Sequence, residues 1–269
     1  MAYADEGAGP VMLLLHGWAT HNGFFKDLSA QLARTNRVLS PTFRGHPGSE
    51  QGSAPLTIET LAEDIAEFCA ALELKDVAAL GWSMGAMALW RAAPKLDGRL
   101  SAIIVEEMGP RLANDASWAF GLSGGYGADD VADTVAEIRA GWPAYVARFA
   151  RRMFARDASA KLIDWTQAEM SAAEPGAMAA FWSSMAAQDC RAALTKISAP
   201  MLVIHGADSV IYPDGATEFV ANAAPKGQRI VLSGAGHVPH LETPDAFFEI
   251  VEAFARASRR PDLSRGGTP

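Results

Sequence analysis

The chain has 269 residues, of which 49% are hydrophobic and 20% are charged. This composition excludes a disordered chain, and the length fits one large α/β domain or a core domain with an insertion. The formal net charge of −8 argues against nucleic acid as a partner. Cys69 and Cys190 stand outside any CxxC or Cys/His cluster, which predicts reduced, buried thiols in a cytoplasmic protein.

The first residues are not expected to form a signal peptide. The first ten residues include Asp5 and Glu6 and contain no apolar segment of the kind that a secretory signal needs. No apolar run is long enough to span a membrane. We therefore expect a cytoplasmic protein without membrane attachment. Residues 258–269 are polar and are predicted to form a flexible tail.

Short apolar runs alternate with helix-like stretches along most of the chain. The predicted buried strands are residues 11–15, 37–40, 77–80, 102–105, 201–204 and 229–232. The predicted helices are residues 24–34, 58–72, 84–93 and 245–257. Thr243 is a plausible N-cap of the last helix, with Pro244 at its first position. This alternation predicts a mostly parallel α/β sheet with helices on both faces.

Residues 111–193 interrupt the alternation, because they contain no convincing strand and are rich in Trp, Phe and Met. We interpret this segment as a helical insertion, called the cap below, between two parts of the core at 1–110 and 194–257. It could instead be a set of ordinary packing helices. Insertions after strands of an open α/β sheet usually lie over the carboxyl ends of the strands, where ligands bind, and this favours the cap.

A G-x-S-x-G pattern marks the candidate nucleophile. "GWSMG" (81–85) follows a predicted strand, opens a predicted helix and has Ser83 at its centre. A sharp turn between strand and helix exposes the hydroxyl, and Gly81 and Gly85 leave room for the two elements to cross. Trp82 directly precedes the serine, and we expect it to contact substrate together with Phe149 of the cap.

Two backbone N–H groups are candidates for an oxyanion hole. "HGW" (16–18) follows the strand at 11–15, and the N–H of Trp18 is the first candidate donor. The N–H of Met84, at the start of the helix after Ser83, is the second. We expect His16 to hold this loop in place instead of acting as a base.

The candidate base follows the last predicted strand. His237 lies in the Gly-rich stretch "SGAGHVPH", from which an imidazole could reach Ser83. A serine hydroxyl is a weak nucleophile until such a base accepts its proton. His240 is the competitor, but it is close to the next helix and is expected to cap or pack.

Together these motifs resemble those of the carboxylic ester hydrolases of the α/β-hydrolase fold, over nearly the whole chain. Within that group, "HGW", "GWSMG" and the spacing to "GHVPH" look most like the methyl ester esterases of biotin synthesis. The resemblance implies an α/β-hydrolase fold, a Ser-His-acid triad in that chain order, and no cofactor or metal.

The third member of the triad, the acid, has more than one candidate in the sequence. The loop after the strand at 201–204 usually reads G-x-x-D-x-x-x-P in such enzymes. Gly206 and Pro213 keep this spacing here, but Ser209 stands in the place of the acid and Asp208 comes one residue early. We prefer Asp208, because a small shift can be absorbed if the carboxylate still reaches the imidazole.

Other carboxylates compete for this role. In some relatives the acid follows the neighbouring strand, which here ends in Glu106 and Glu107. Two consecutive carboxylates at the end of a buried strand need an explanation, although one could be solvated and the other could pair with an arginine. Glu107 is the main alternative, followed by Glu106 and Asp214.

Basic side chains gather in one part of the cap. In an acidic protein they form a local positive patch, which is more often an ordinary solvated helix face. The resemblance implies a different role, because the biotin-pathway esterase uses cap arginines to hold its acidic acyl carrier protein. The residues concerned are Arg148, Arg152 and Arg156, which recur every four residues as on one face of a helix, and Arg151 beside them.

We therefore expect a serine hydrolase that cleaves carboxylic esters through an acyl-enzyme, with a small ester as substrate and an acyl carrier protein as a further candidate partner. An enol-lactonase or a C–C bond hydrolase on the same scaffold is the first alternative. A hydrolase-fold binding protein without activity is the second. The sequence leaves a monomer and a homodimer equally open.

Overall fold

A seven-stranded sheet organises the part of the chain that the computed structural model describes, which is residues 1–96, 98–122 and 125–259. All six predicted strands are present, but the last, at Gly227–Leu232, is partly exposed and not buried as predicted. A seventh, at the N-terminus, was not predicted, because it is mostly exposed and has no apolar pattern. The strands are β1 (Tyr3–Gly7), β2 (Val11–Leu15), β3 (Arg37–Pro41), β4 (Val77–Trp82), β5 (Leu100–Glu106), β6 (Met201–Gly206) and β7 (Gly227–Leu232).

The sheet has the order β1-β3-β2-β4-β5-β6-β7, and only β1 runs antiparallel to its neighbour. Strands β4 and β6 are buried along their whole length, as a parallel sheet covered on both faces requires. The strand order reverses beside β2, which lies between β3 and β4. In open α/β sheets the ligand crevice lies at such a reversal, outside the carboxyl ends of the strands.

The four predicted helices are present with shifted ends, the first of them as α1 (Lys26–Leu32), whereas the core helices at 191–194, 214–223 and 239–242 were not predicted. The first predicted helix starts with a 3₁₀ turn (Asn22–Phe25) before α1. Thr243 occupies the N-cap position of the last helix, but its hydroxyl donates to the carbonyl of Pro239 instead of capping. The core helices are α1 (Lys26–Leu32), α2 (Ile58–Ala71), α3 (Met84–Ala92), α8 (Arg191–Leu194), α9 (Asp214–Ala223), α10 (Pro239–Glu242) and α11 (Pro244–Ser258).

The cap segment contributes α4 (Ala128–Ala140), α5 (Trp142–Met153), α6 (Ala160–Ser171) and α7 (Pro175–Ala186). They lie between β5 and β6 in the chain. The ring of Trp18, on the loop after β2, packs edge-on against Trp142, Tyr145 and Phe149 of α5 and against Trp182 of α7. The cap is thus joined to the core through an aromatic cluster centred on Trp18.

Two further predictions bear on the fold. The described helices include none that is long and apolar enough to cross a membrane. Of the predicted flexible tail at 258–269, residues 260–269 lie outside the described residues.

Candidate active site

The register of the sheet brings the candidate residues to one edge. Leu15, at the end of β2, pairs with Gly81, and Trp82 pairs with Glu106 at the end of β5. Gly206 of β6 pairs with Leu232 of β7. The loops that carry the candidate nucleophile, base, acid and oxyanion donors therefore leave the sheet side by side.

Ser83 lies in a strained turn between β4 and α3, with φ 50° and ψ −118°. A Cβ atom on Gly81 would lie 2.5 Å from the backbone of Ala86, and one on Gly85 would lie 2.2 Å from the carbonyl oxygen of Leu15. Only glycine allows these approaches, which explains the G-x-S-x-G spacing physically. Such strain is common where a side chain must be presented for chemistry.

His237 is held through its backbone from two sides. Its carbonyl accepts a 2.8 Å hydrogen bond from the indole N–H of Trp82, and its N–H donates to the carbonyl of Met153 over 2.6 Å. Trp82 is itself buried behind Ser83, and its ring lies 6.1 Å from the imidazole. The residue before the candidate nucleophile thus also positions the candidate base.

Glu107, directly after β5, contacts the imidazole of His237. Its Oε2 lies 3.2 Å from Nδ1 of His237 and accepts a 2.7 Å hydrogen bond from the hydroxyl of Ser209. Its Oε1 accepts a 2.7 Å bond from the N–H of Gly206. The residue is fully buried and has a left-handed backbone, with φ 52°.

The charge of Glu107 is favoured by its neighbours. Burial by itself would raise the pKa of this carboxyl, but the close polar contacts and charge interactions with His205 and His237 lower it to about 2. Glu107 is therefore a carboxylate at any pH near neutrality. An ionised carboxylate in this position holds an Nδ1–H and stabilises an imidazolium.

Asp208, which the sequence favoured, does not make this contact. Its side chain is exposed and has no hydrogen bond to another described residue, while its N–H donates to the carbonyl of Ala235. Because Asp208 comes one residue early, its carboxylate is exposed to solvent, and the hydroxyl of Ser209 points toward Glu107 instead. The contact expected of Asp208 is thus made by Glu107.

The two remaining acid candidates are engaged elsewhere. Glu106 accepts hydrogen bonds from the N–H of His240 at 2.9 Å and contacts Nδ1 of the same residue at 2.8 Å. His240 packs edge-on against Trp82, 5.0 Å between ring centres, as expected for a packing residue. Asp214 is paired with Arg229 at the start of α9.

His205, in β6, is a second histidine on Glu107 that sequence reasoning missed. Its Nδ1 lies 2.6 Å from Oε1 of Glu107, close enough for an ion pair but outside the directional range of a hydrogen bond. Its Nε2 lies 3.6 Å from the carboxylate of Asp214. The only signal was a histidine inside an otherwise apolar strand, "MLVIHG".

The two candidate oxyanion donors lie at neighbouring strand ends. Within the described ranges, neither the N–H of Trp18 nor that of Met84 has a hydrogen-bond acceptor. His16 is a neutral scaffold, as predicted. Its Nε2 accepts from the N–H of Phe43 at 2.9 Å, its Nδ1 is 2.8 Å from the carbonyl of Gly17, and burial lowers its pKa.

Ser83 and His237 line the same cavity, which is small and largely apolar. It offers about 20 Å³ to the centre of a water molecule, room for one water. The other lining residues are Gly17, Trp18, Trp82, Leu112, Leu122, Phe149, Met153, Trp182, Met185, Ile211 and Tyr212.

The four arginines of the cap are all exposed but differ in their contacts. Arg148 pairs with Glu137 of α4, and the guanidinium of Arg151 donates to the carbonyl oxygens of Ala155 and Arg156. Helix α5 ends at Met153, so Arg156 does not continue the helical stripe that the spacing suggested.

A depression of about 300 Å³ lies beside the cavity and shares Leu122, Phe149 and Ile211 with it. Arg148 and Arg152 also line the depression. Two arginines, one of them paired with Glu137 of the same lining, thus lie beside the apolar cavity.

The two thiols are free and buried, as predicted. Burial raises the pKa of Cys69 to about 11 and that of Cys190 to about 12, so both stay protonated near neutrality. No group of three or more potential ligands able to hold a metal ion occurs among residues 1–96, 98–122 and 125–259.

A mostly parallel sheet that carries a serine on a strained turn, with a His–Glu contact at the strand ends, has the layout of an α/β hydrolase. Comparison with known families agrees. Residues 12–250 match the Alpha/beta hydrolase family, and the chain belongs to it.

The curated relatives include esterases. The chain is 24% identical to the pimeloyl-[acyl-carrier protein] methyl ester esterase of Nitrosomonas europaea over 92% of its length and 96% of the relative. It is 28% identical to the esterase of the same name from Nitrosospira multiformis, over 93% and 96% of the two chains.

Solved structures resemble the fold closely. An esterase from Exiguobacterium antarcticum matches with a TM-score of 0.89 at 22% identity, over 94% of both chains. An enol-lactonase from Burkholderia xenovorans matches with a TM-score of 0.84 at 21% identity, over 95% of this chain and 96% of the other. At such identities the likeness concerns the fold alone.

Proposed function

We propose that this protein is a serine esterase that cleaves carboxylic esters through an acyl-enzyme. The observation that carries the proposal is the contact between Glu107 and Nδ1 of His237, with His237 and Ser83 lining one cavity. The family match and the esterases among the relatives support the same reaction class.

In this mechanism the hydroxyl of Ser83 attacks the ester carbonyl while Nε2 of His237 takes its proton. The oxygen of the tetrahedral intermediate receives hydrogen bonds from the N–H groups of Trp18 and Met84. The alcohol leaves with the proton from His237. A water activated by His237 then releases the acid and restores Ser83.

Glu107 is the proposed acid of the triad, in place of Asp208. Its carboxylate fixes the tautomer of His237 with a proton on Nδ1 and stabilises the imidazolium that forms on attack. Its low pKa and its three further contacts support this role, since the group is charged and held in place before substrate binds.

The first test of this function is labelling by a fluorophosphonate probe, which reacts with an activated serine. The wild-type protein is expected to be labelled and Ser83→Ala is not. Ser209→Thr, which keeps a hydroxyl beside Glu107, serves as the control for a serine outside the nucleophile position. A wild-type protein that is not labelled and hydrolyses no ester would point to a binding protein instead.

We propose that the substrate has an apolar acyl chain, with few polar atoms near the reacting carbonyl. Apart from Ser83, His237 and Tyr212, the side chains around the cavity are hydrophobic or aromatic. Methyl esters of a long acyl chain fit this lining. The names of the relatives then favour the methyl ester of pimeloyl-acyl-carrier protein, in biotin synthesis, as the substrate.

Docking of an acyl carrier protein is proposed at the arginines of the cap. The depression lined by Arg148 and Arg152 could guide a carrier's prosthetic arm to the cavity, and the protein's overall negative charge makes a local positive patch more selective for an acidic partner. Arg151, in the last turn of α5, and Arg156, just after that helix, are also exposed and are included in the proposed docking surface.

The docking proposal is tested by changing Arg148 and Arg152 to Glu and comparing a carrier-bound ester with a small free ester. Activity on the carrier-bound ester is expected to fall, most strongly at low salt, while hydrolysis of the free ester stays unchanged. Arg139→Glu, an exposed residue of α4, is the matched control. Equal loss on both substrates would refute docking.

An ester panel separates the remaining activities on this scaffold. It should contain the carrier-bound methyl ester, simple alkyl esters, an enol-lactone and a substrate for C–C bond hydrolysis. Preference for the enol-lactone or the C–C substrate would replace the esterase proposal while keeping Ser83 and His237 in their roles.

A further inference from the structure

The loop that carries His237 rests directly on the end of cap helix α5. The N–H of His237 donates to the carbonyl of Met153 over 2.6 Å. A Cβ atom on Gly236 would lie 2.8 Å from both that carbonyl oxygen and the N–H of Ala155. Glycine is therefore required for the two backbones to approach this closely.

One carboxylate joins the two segments. Oε1 of Glu242 accepts a 2.6 Å hydrogen bond from the N–H of Ala155, just after α5. Its Oε2 accepts from the N–H groups of Gly236 at 2.8 Å and Val238 at 3.3 Å, on either side of His237. These contacts bridge the cap and the loop of the base through a single side chain.

Helix α5 also forms part of the cavity. Phe149 and Met153 line it together with Ser83. The end of α5 cannot shift freely from His237 while Glu242 holds both. Helix α5 therefore both supports the loop of His237 and lines the cavity.

We propose that Glu242 is a positioning residue, which fixes His237 against the end of α5 and keeps its imidazole aligned between Glu107 and Ser83. This inference rests on the proposed serine esterase function. Small displacements of a catalytic base cost large factors in rate, so a residue that touches no substrate can still control kcat.

The central test compares Glu242→Gln with Glu249→Gln, an exposed glutamate of α11. Glutamine keeps the size of the side chain but offers one oxygen to three N–H donors. We expect kcat on a small ester to fall about 10-fold to 100-fold in Glu242→Gln, with KM within about twofold of wild type. Glu249→Gln should match the wild type.

The pH profile distinguishes positioning from a loss of folded protein. The groups facing His237 are the carboxylates of Glu107 and Glu242 and the phenol of Tyr212. If His237 moves away from Glu107, its imidazolium is less stabilised, and the acid limb of kcat/KM shifts to lower pH. A smaller folded fraction would lower activity without moving this limb.

Glu242→Asp separates geometry from charge and replaces the first variant if that one does not fold. Aspartate keeps the charge but is one methylene shorter and cannot span both segments. An intermediate kcat and a shifted acid limb are expected. Wild-type kcat and pH profile in both variants would overturn the proposal, as would a loss that only follows the unfolded fraction seen by circular dichroism.

A readout without turnover keeps this inference separate from the esterase proposal. The proton on Nδ1 of His237, held by Glu107, should give a downfield NMR signal that disappears in Glu107→Gln. We expect the signal to shift or broaden in Glu242→Gln and to stay in Glu249→Gln. An unchanged signal in Glu242→Gln would overturn the positioning role even if no ester were hydrolysed.

Discussion

The hydroxyl of Ser209 donates a 2.7 Å hydrogen bond to the carboxylate of Glu107, which in turn contacts His237. Ser209 stands where enzymes of this fold commonly have the acid, and Glu107 reaches the same place from the neighbouring strand. The carboxylate is thus supplied by β5, while the loop after β6 supplies a donor that holds it. Several predictions depend on this arrangement.

Replacing Glu107 should affect activity far more than replacing Asp208. In Glu107→Gln the amide can no longer stabilise the imidazolium of His237, and kcat is expected to fall by about 10³-fold or more. Asp208→Asn should keep nearly wild-type kcat, because its side chain is exposed. Steady-state kinetics on one small ester checks both. A large loss in Asp208→Asn with an active Glu107→Gln would return the role to Asp208.

Removing the hydroxyl of Ser209 should weaken the hold on Glu107. In Ser209→Ala the charged carboxylate loses one donor, worth about 1.5–3 kcal/mol, and part of this cost should appear as a lower kcat. Ser209→Thr keeps the hydroxyl and should restore most of the activity. If Ser209→Ala and Ser209→Thr have the same kcat, the hydrogen bond contributes nothing to the reaction.

The indole N–H of Trp82 should contribute to stability and to kcat separately from the packing of its ring. Trp82→Phe keeps an aromatic side chain but leaves the buried carbonyl of His237 without its donor, at a cost of about 1–3 kcal/mol. We expect a lower Tm and a kcat reduced by about tenfold. Calorimetry and kinetics measure the two effects. Phe24→Leu, which alters the packing beside Trp82 but no hydrogen bond, is the comparison.

Stability should depend on pH through Glu107. Its pKa is lowered to about 2 in the folded protein, below the usual value of a glutamate. A lowered pKa gives a contribution that is fully present above the ordinary value and is lost as the pH falls toward 2. The free energy of unfolding should therefore drop between about pH 4.5 and pH 2 in the wild type.

The same measurement on Glu107→Gln provides the control. The difference in unfolding free energy between the two proteins should shrink as the pH falls through that window, because the wild-type residue becomes neutral as well. A difference that stays constant down to pH 2 would contradict the depressed pKa.

Local patterns sufficed for much of the fold. Each buried strand could be predicted because strands covered on both faces are nearly all apolar. The strand β1 could not, because its burial is slight and its pairing with β3 is a contact between distant parts of the chain. The end of α5 at Met153 was also missed, since the arginine spacing continued beyond it.

The sequence by itself determined the positions that a single turn dictates. Gly81, Ser83 and Gly85 form a pattern whose strain and spacing are local, and His237 follows from its place in a Gly-rich loop after the last strand. The partner of His237 was decided only by the tertiary structure. Which carboxylate reaches the imidazole depends on the register of β5 and β6 and on the direction of each side chain. Because Asp208 comes one residue early, its side chain is exposed, and the carboxylate that contacts His237 is that of Glu107.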